Sequence, residues 1–363
     1  MMLATIRMQR IASTGMRTLA LASNDNMKMG TTVHFLAALT AIGISDALCE
    51  VLGQKEEQDG DNDSLVDGNT TSNSVSVYFD TEYETKRILG SGSFGVVMQC
   101  VHKQTGHVAA VKIVQDIEES QEEVQREKQA LECLERAGGH VSVVGYKGSY
   151  YHNDFHYIVL EYIPGISLHS FINKHHTLDP TWSLRLVSQL ASALQFMHKA
   201  DVIHGDLKPE NVMTFVSCDS KSCSDRENIK LKIIDFGSVS RKSQPGKPGT
   251  TTTLSGTRCY WSPEVLQYQD MTPAMDMWAL GCILYILISG RHPFDLTGRS
   301  SEDEILERVK TKSLSFLSPL WNNVPVKTKT LIRGLLENDP NRRLSADQVL
   351  AHSAIIEATK LIN

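Results

Sequence analysis

Long apolar runs are missing from this chain. The longest uncharged, mainly apolar stretch, Phe35 to Ser45, stops at Asp46, far short of the roughly 20 residues that cross a bilayer. No transmembrane helix is expected. A basic excess is missing too: 36 Lys and Arg stand against 42 Asp and Glu, a net charge of −6, which argues against nucleic acid or an anionic membrane as the main partner. Cysteine is sparse, scattered and odd in number, at Cys49, Cys100, Cys133, Cys218, Cys223, Cys259 and Cys282. A disulfide framework is therefore not expected, and a reducing compartment is. Cys218 and Cys223 sit in a polar stretch without a second Cys/His pair, so they read as loop thiols and not as a zinc site. No repeat of 20 to 50 residues is visible, which removes solenoids and propellers.

The remaining composition is globular, 41% apolar and 21% charged over 363 residues, long enough for one large two-lobed domain with a tail or for two ordinary domains. Residues 1–53 form a leader with Arg7, Arg10 and Arg17 and no acid before Asp25, the composition of an organelle transit peptide. Its apolar residues do not gather on one helical face, which favours a disordered basic leader. Residues 54–77 are acidic, amide-rich and almost free of large apolar groups. Such a stretch cannot offset its ordering entropy by burial and reads as a linker.

From Tyr78 onward strand-like runs appear, among them His107 to Val114 and Tyr157 to Glu161, joined by a helix-forming stretch from Glu118 to Glu135. Beyond Pro164 helices take over. Asp179 and Pro180 form an N-cap and first-turn signal, and Trp182, Leu186, Val187, Leu190, Leu194 and Met197 line one face of the helix they open. Met275 to Ser289 is apolar nearly all round and bounded by Gly290 and Pro293, as befits a helix in the middle of a core.

The chemistry begins at Leu89 to Val97, LGSGSFGVV, where Gly90, Gly92 and Gly95 allow close approach of backbone N–H groups to phosphate oxygens. Alone this spacing is weak: a plain hairpin turn explains it as well. The next stretch, Val96 to His102, is strand-like and not helical, which argues against a dinucleotide fold. Lys112 stands in the apolar strand AAVKIV, where a charge must find a partner or snorkel from an edge. Glu127, ahead of Ala130, Leu131 and Leu134, is placed to turn inward and pair with it. The strongest signal is His204 to Asn211, HGDLKPEN, with Asp235-Phe236-Gly237 24 residues on and Ser262-Pro263-Glu264 later still.

Together these residues resemble the eukaryotic protein kinase family, over about Tyr83 to His352. The resemblance implies an α+β bilobal kinase fold at 78–356, with a β-rich N-lobe carrying one regulatory helix at 78–163, a mainly helical C-lobe at 164–356, and a C-terminal end at 357–363. It implies ATP and Mg2+ as cofactors and protein Ser/Thr hydroxyls as acceptors. Gly90, Gly92 and Gly95 would cover the phosphates, with Leu89, Val97, Ala110 and Met213 as walls of the adenine slot. Lys112, paired with Glu127, would hold the α- and β-phosphates. Leu160 would be the gatekeeper, and Glu161 and Ile163 would offer backbone groups to adenine. Asp206 would be the catalytic base and Lys208 would neutralise charge on the transferring group. Asn211 and Asp235 would hold magnesium. Glu264 with Arg343, and Asp276 with the catalytic-loop backbone, would be buried structural pairs. The Lys-Pro-Glu after Asp206, with Gly256-Thr257 before SPE, is similar to the serine/threonine branch.

Three departures from the family pattern stand out. Gly205 occupies the place of an arginine that grips a phosphate on the activation segment, so phosphorylation at Thr253 is not expected to govern activity. Ser167 stands where many relatives have an acid for the ribose. The stretch Thr214 to Lys230 is longer than usual, an insertion expected to bulge at the surface at little cost. A pseudokinase is the competing reading, disfavoured because Lys112, Asp206, Asn211 and Asp235 are all present; a small-molecule kinase is disfavoured by GTRCYWSPE. The glycine loop and DPNRRLSADQVLAH resemble the calcium/calmodulin-dependent group. The chain ends at Asn363, soon after the expected domain, so that group's autoinhibitory tail and calcium control are not expected. Cytoplasm is the expected location, with mitochondria as the alternative if the leader is a transit peptide.

Overall fold

A computed structural model of the chain describes residues 79–91, 95–216, 228–241, 258–295, 298–311 and 314–360. The leader, the acidic linker, Gly92, Cys218, Cys223, Thr253 and the Gly256-Thr257 pair lie outside the described residues. The chain forms two compact units, one of residues 79–121 with Lys147–Tyr162, the other of Glu122–Tyr146 with residues 163–360.

In the first unit a five-stranded antiparallel sheet has the order β1-β2-β3-β5-β4, built from β1 (Tyr83–Ser91), β2 (Gly95–His102), β3 (Val108–Gln115), β4 (Tyr146–His152) and β5 (Phe155–Glu161). Alternation sends Val96, Met98, Cys100, Ala109, Val111, Ile113, Phe155, Tyr157 and Val159 to one buried core. Burial pushes the Cys100 thiol up to about 12, with help from the Asp80 charge, so it packs as a small hydrophobe. The strand-like reading from Tyr78 is corrected at its start. Phe79–Glu82 is a helical turn, α1, held because Phe79 stacks on Tyr83 and Tyr157 at 5.2 and 4.4 Å and meets Tyr150 edge-on. Lys103 fastens its backbone by donating from its N–H to Glu82 O at 2.7 Å.

Helix α2 (Glu118–Arg136) matches the expected range to within a residue. It starts where Ser120 Oγ donates to Gln115 O at 2.6 Å, and buries Val124, Glu127, Ala130, Leu131 and Leu134. The second unit is mainly helical after the short strand β6 (Ile166–Ser167) and helix α3 (Leu168–His175). Helix α4 (Pro180–Lys199) begins as its sequence demands, with the Asp179 side chain accepting from Trp182 N–H at 3.0 Å, and it buries all six residues of the expected face. Three short strands come next: β7 (Val202–Ile203) and the antiparallel pair β8 (Val212–Val216) and β9 (Ile229–Ile233). Strand β10 (Ser240–Arg241) pairs back onto β7.

Beyond a single turn, α5 (Pro263–Leu266), the central helix α6 (Pro273–Ser289) is buried at every position from Met275 to Ile288. Each large apolar side chain there contributes about 1.5–3 kcal/mol by leaving water. Gly290 ends α6 in the left-handed conformation at φ 69°, its N–H donating to Ile286 O at 2.7 Å. The fold is completed by α7 (Glu302–Thr311), α8 (Val326–Leu335), α9 (Ala346–Leu350) and α10 (Ser353–Lys360). As expected, Arg343 and Glu264 form a two-pronged buried ion pair, at 2.6 and 2.8 Å, and the guanidinium lies over the Trp278 ring. Removing one partner would leave a buried charge, at a cost of about 3–5 kcal/mol. Among the described residues no helix is long and apolar enough to cross a membrane.

Candidate active site

The loop from His204 to Lys208 leaves β7 and is fixed from beneath by α6. Asp276, 1% exposed, accepts from the backbone N–H groups of His204 and Gly205, at 2.9 Å (Oδ2) and 3.0 Å (Oδ1). His198, at the end of α4, donates from Nε2 to the same carboxylate at 2.9 Å. Burial alone would raise the Asp276 pKa. The His198 hydrogen bond, the pull of His198 and His204 and the Gly205 N–H outweigh it and hold the carboxyl below its usual range. His204 is equally committed: its Nδ1 accepts from Asp206 N–H at 3.3 Å, so the proton sits on Nε2, which donates to Ile234 O at 3.1 Å.

Asp206 is thereby presented with its two oxygens in different states. Oδ2 accepts from Lys208 Nζ at 2.7 Å and from Asn211 Nδ2 at 3.0 Å, and Asn211 Nδ2 also donates to the Asp206 carbonyl at 2.9 Å. Oδ1 is buried and has no hydrogen-bond partner. A buried carboxylate oxygen without a donor is costly and keeps its capacity to accept a hydrogen bond. Asp206 lines a recess together with Gly205, Leu207, Tyr260, Trp261 and Met275.

Asn211 and Asp235 leave the same end of one hairpin. Val212 pairs with Ile233, and Ile234 N–H donates to Asn211 O at 2.9 Å, carrying the ladder one step further. Asp235 then turns sharply, with φ 62° and its Oδ1 accepting from Gly237 N–H at 3.3 Å. Phe236, 1% exposed, packs edge-on against the His204 ring at 5.3 Å. Asp235 itself is exposed.

In the first unit, register places the expected nucleotide residues on one face of the sheet. Val97 is opposite Gly90 on one side and Lys112 on the other, and Ala110 is opposite Leu160. Cross-strand partners share a face, and this is the face away from the Phe79 core. Leu89 is exposed at an irregularity of β1, and Gly95 has no room for a Cβ because the Ile113 carbonyl occupies that place. Glu161 ends β5, Ile163 is buried, and Met213 sits in β8 opposite Ser167. Glu127, 1% exposed in α2, carries a carboxylate that burial obliges to be compensated. His198 escaped the sequence reading; its only signal was a polar residue in the last turn of an apolar helix.

These arrangements define a protein kinase. The family model described as protein kinase domain matches residues 83–355, and the chain belongs to that family. The serine/threonine-protein kinase PKZ1 of Phytophthora infestans is 38% identical over 275 residues, 73% of this chain and 68% of the relative. The human serine/threonine-protein kinase DCLK3 is 31% identical over 288 residues, 79% of this chain and 42% of the relative. The calcium/calmodulin-dependent protein kinase type II of Caenorhabditis elegans is 31% identical over 278 residues, 76% of this chain and 36% of the relative. The chain is a serine/threonine protein kinase, similar to the calcium/calmodulin-dependent group.

Proposed function

We propose that this kinase uses magnesium-bound ATP and that Asp206 accepts the proton of the attacking Ser or Thr hydroxyl. The observation that carries this is the asymmetry of the Asp206 carboxylate: Oδ2 is tied to Lys208 and Asn211 while Oδ1 is buried and unpartnered. The chain's own work is to orient the hydroxyl at Oδ1 and to take its proton. Lys208, held at 2.7 Å from Asp206, is positioned to offset negative charge on the group being transferred. When bound, the nucleotide supplies the phosphoryl group, and magnesium supplies neutralisation of the triphosphate charge.

The donor set fits that metal. Asn211 spends its amide nitrogen on Asp206 and keeps its oxygen out of any hydrogen bond among the described residues, and Asp235 adds a carboxylate on the same hairpin end. Among the described residues no three His, Cys, Asp or Glu side chains gather as a metal cage. Magnesium does not require one, because it keeps water and binds through one or two carboxylates with substrate phosphates. Gly90, Gly95 and Gly92 are assigned to the phosphates, and Leu89, Val97, Ala110, Glu161, Ile163 and Met213 to the adenine. Lys112 and Glu127 are assigned as the pair that positions ATP. The shared sheet face of Gly90, Val97, Ala110 and Lys112 supports this reading.

An autophosphorylation assay comparing the wild type with Asp235→Asn tests it. Loss of about 10²-fold or more in phosphate incorporation is expected; equal incorporation by both would reject the assignment. We place the protein in the cytoplasm, with mitochondria as the alternative. Mass spectrometry of the mature N-terminus separates the two, cleavage before about residue 50 favouring import.

A further inference from the structure

Residues 202–204 are joined to residues 234, 240 and 241 at three points. Ser240 pairs with Ile203 and Arg241 with Val202, and His204 Nε2 donates to Ile234 O at 3.1 Å. At the end of this seam lies Gly205, at φ 81°. A Cβ built there would stand 2.5 Å from the Ser238 carbonyl oxygen and 2.7 Å from Met271 Cε. The methyl end of a methionine can swing aside. A peptide oxygen next to a paired strand cannot, without dragging its neighbours with it.

We infer that Gly205 is a positioning residue for the turn that carries Asp235: with no side chain, it lets the Ser238 peptide close onto the catalytic loop, and any Cβ at 205 displaces residues 235–238 relative to Asp206. Gly205 acts through the backbone and touches no substrate. The inference rests on the assignment of Asp235 to magnesium. The glycine is therefore required by the packing around it, and an arginine installed at 205 impairs the enzyme.

The test compares Gly205→Ala, Gly205→Asn and Met271→Ala with the wild type. Three quantities are read: kcat and KM on a Ser/Thr peptide, the free Mg2+ giving half-maximal rate, and the rise in melting temperature on adding Mg2+ with a non-hydrolysable ATP analogue, which needs no turnover. Both Gly205 variants are expected to lose roughly thirtyfold in kcat, to need about tenfold more Mg2+ and to lose most of the Mg2+-dependent thermal shift, with peptide KM within about threefold. Asparagine tolerates a positive φ better than alanine does. A Gly205→Asn enzyme with wild-type behaviour would therefore assign the effect to backbone strain and overturn the inference. Met271→Ala is expected to stay within about threefold of wild type, and a Met271→Ala change that rescues Gly205→Ala would likewise overturn it. Should the Gly205 variants fail to fold, hydrogen exchange on the wild type decides: Mg2+ with the analogue is expected to protect 202–206 and 234–240 together, and protection confined to 235–237 contradicts the coupling. If Asp235→Asn keeps the full Mg2+-dependent shift, the metal assignment itself has failed, whatever Gly205 does.

Discussion

His292 shows how a single side chain can set a pH limit on the fold. Its Nδ1 accepts from Phe294 N–H at 3.4 Å, and its Nε2 is sealed from solvent. A second proton would break the first contact or charge a desolvated ring, and burial lowers the His292 pKa to about 4, the Cys259 backbone and the Asp295 charge pulling the other way only in part. The unfolded chain takes up this proton near pH 6.5 and the folded one resists until about 4, so the contribution is whole above pH 6.5 and drains as pH falls. By pH 5 about 2 kcal/mol is lost at 1.36 kcal/mol per unit. Melting temperatures of wild type and His292→Gln between pH 7 and pH 5 check this: the wild type should fall more steeply, and parallel slopes would contradict it. Thr253 belongs to the same scale. With Gly205 offering no cation, Thr253→Ala is expected to change activity by less than about tenfold in a peptide assay; near-complete loss would refute the expectation.

At the scale of elements, α1 is the instructive case. Four residues carry no periodicity, and nothing in FDTE announced a helix. Its existence depends on Phe79 finding Tyr83 and Tyr157 across the sheet, a tertiary contact that no local pattern encodes. Phe79 precedes residues 83–355, the extent of the family match, yet it is among the largest fully buried side chains. Phe79→Ala is expected to destabilise the sheet unit by about 3–5 kcal/mol. Urea unfolding monitored by hydrogen exchange in β2, β3 and β5 would show it, and an unchanged midpoint for those strands would sink the claim. Helices α4 and α6, in contrast, were legible because an Asp-Pro start, a left-handed glycine stop and a burial pattern all act within the element itself.

Over the whole molecule, the motifs were legible for a physical reason. HGDLKPEN packs its chemistry into eight consecutive residues whose mutual hydrogen bonds are short-range, and DFG sits one strand pairing away. The supports that come from distant segments were not all legible. Asp276 was foreseen through the family resemblance, but His198 beneath it and the Met271 and Ser238 wall beside Gly205 depend on packing that only the folded chain reveals. In the first unit one face of the sheet is buried for stability, while Gly90, Val97, Ala110 and Lys112 share the other.

The central claim is that Asp206 takes the acceptor's proton while its neighbours stay in place. Steady-state phosphorylation of a Ser/Thr peptide by wild type and Asp206→Asn tests it most directly. The account predicts a kcat lower by about 10²–10⁴-fold with the KM for ATP within about threefold, since proton transfer is lost and nucleotide binding is not. An Asp206→Asn enzyme that phosphorylates the peptide at the wild-type rate would contradict it.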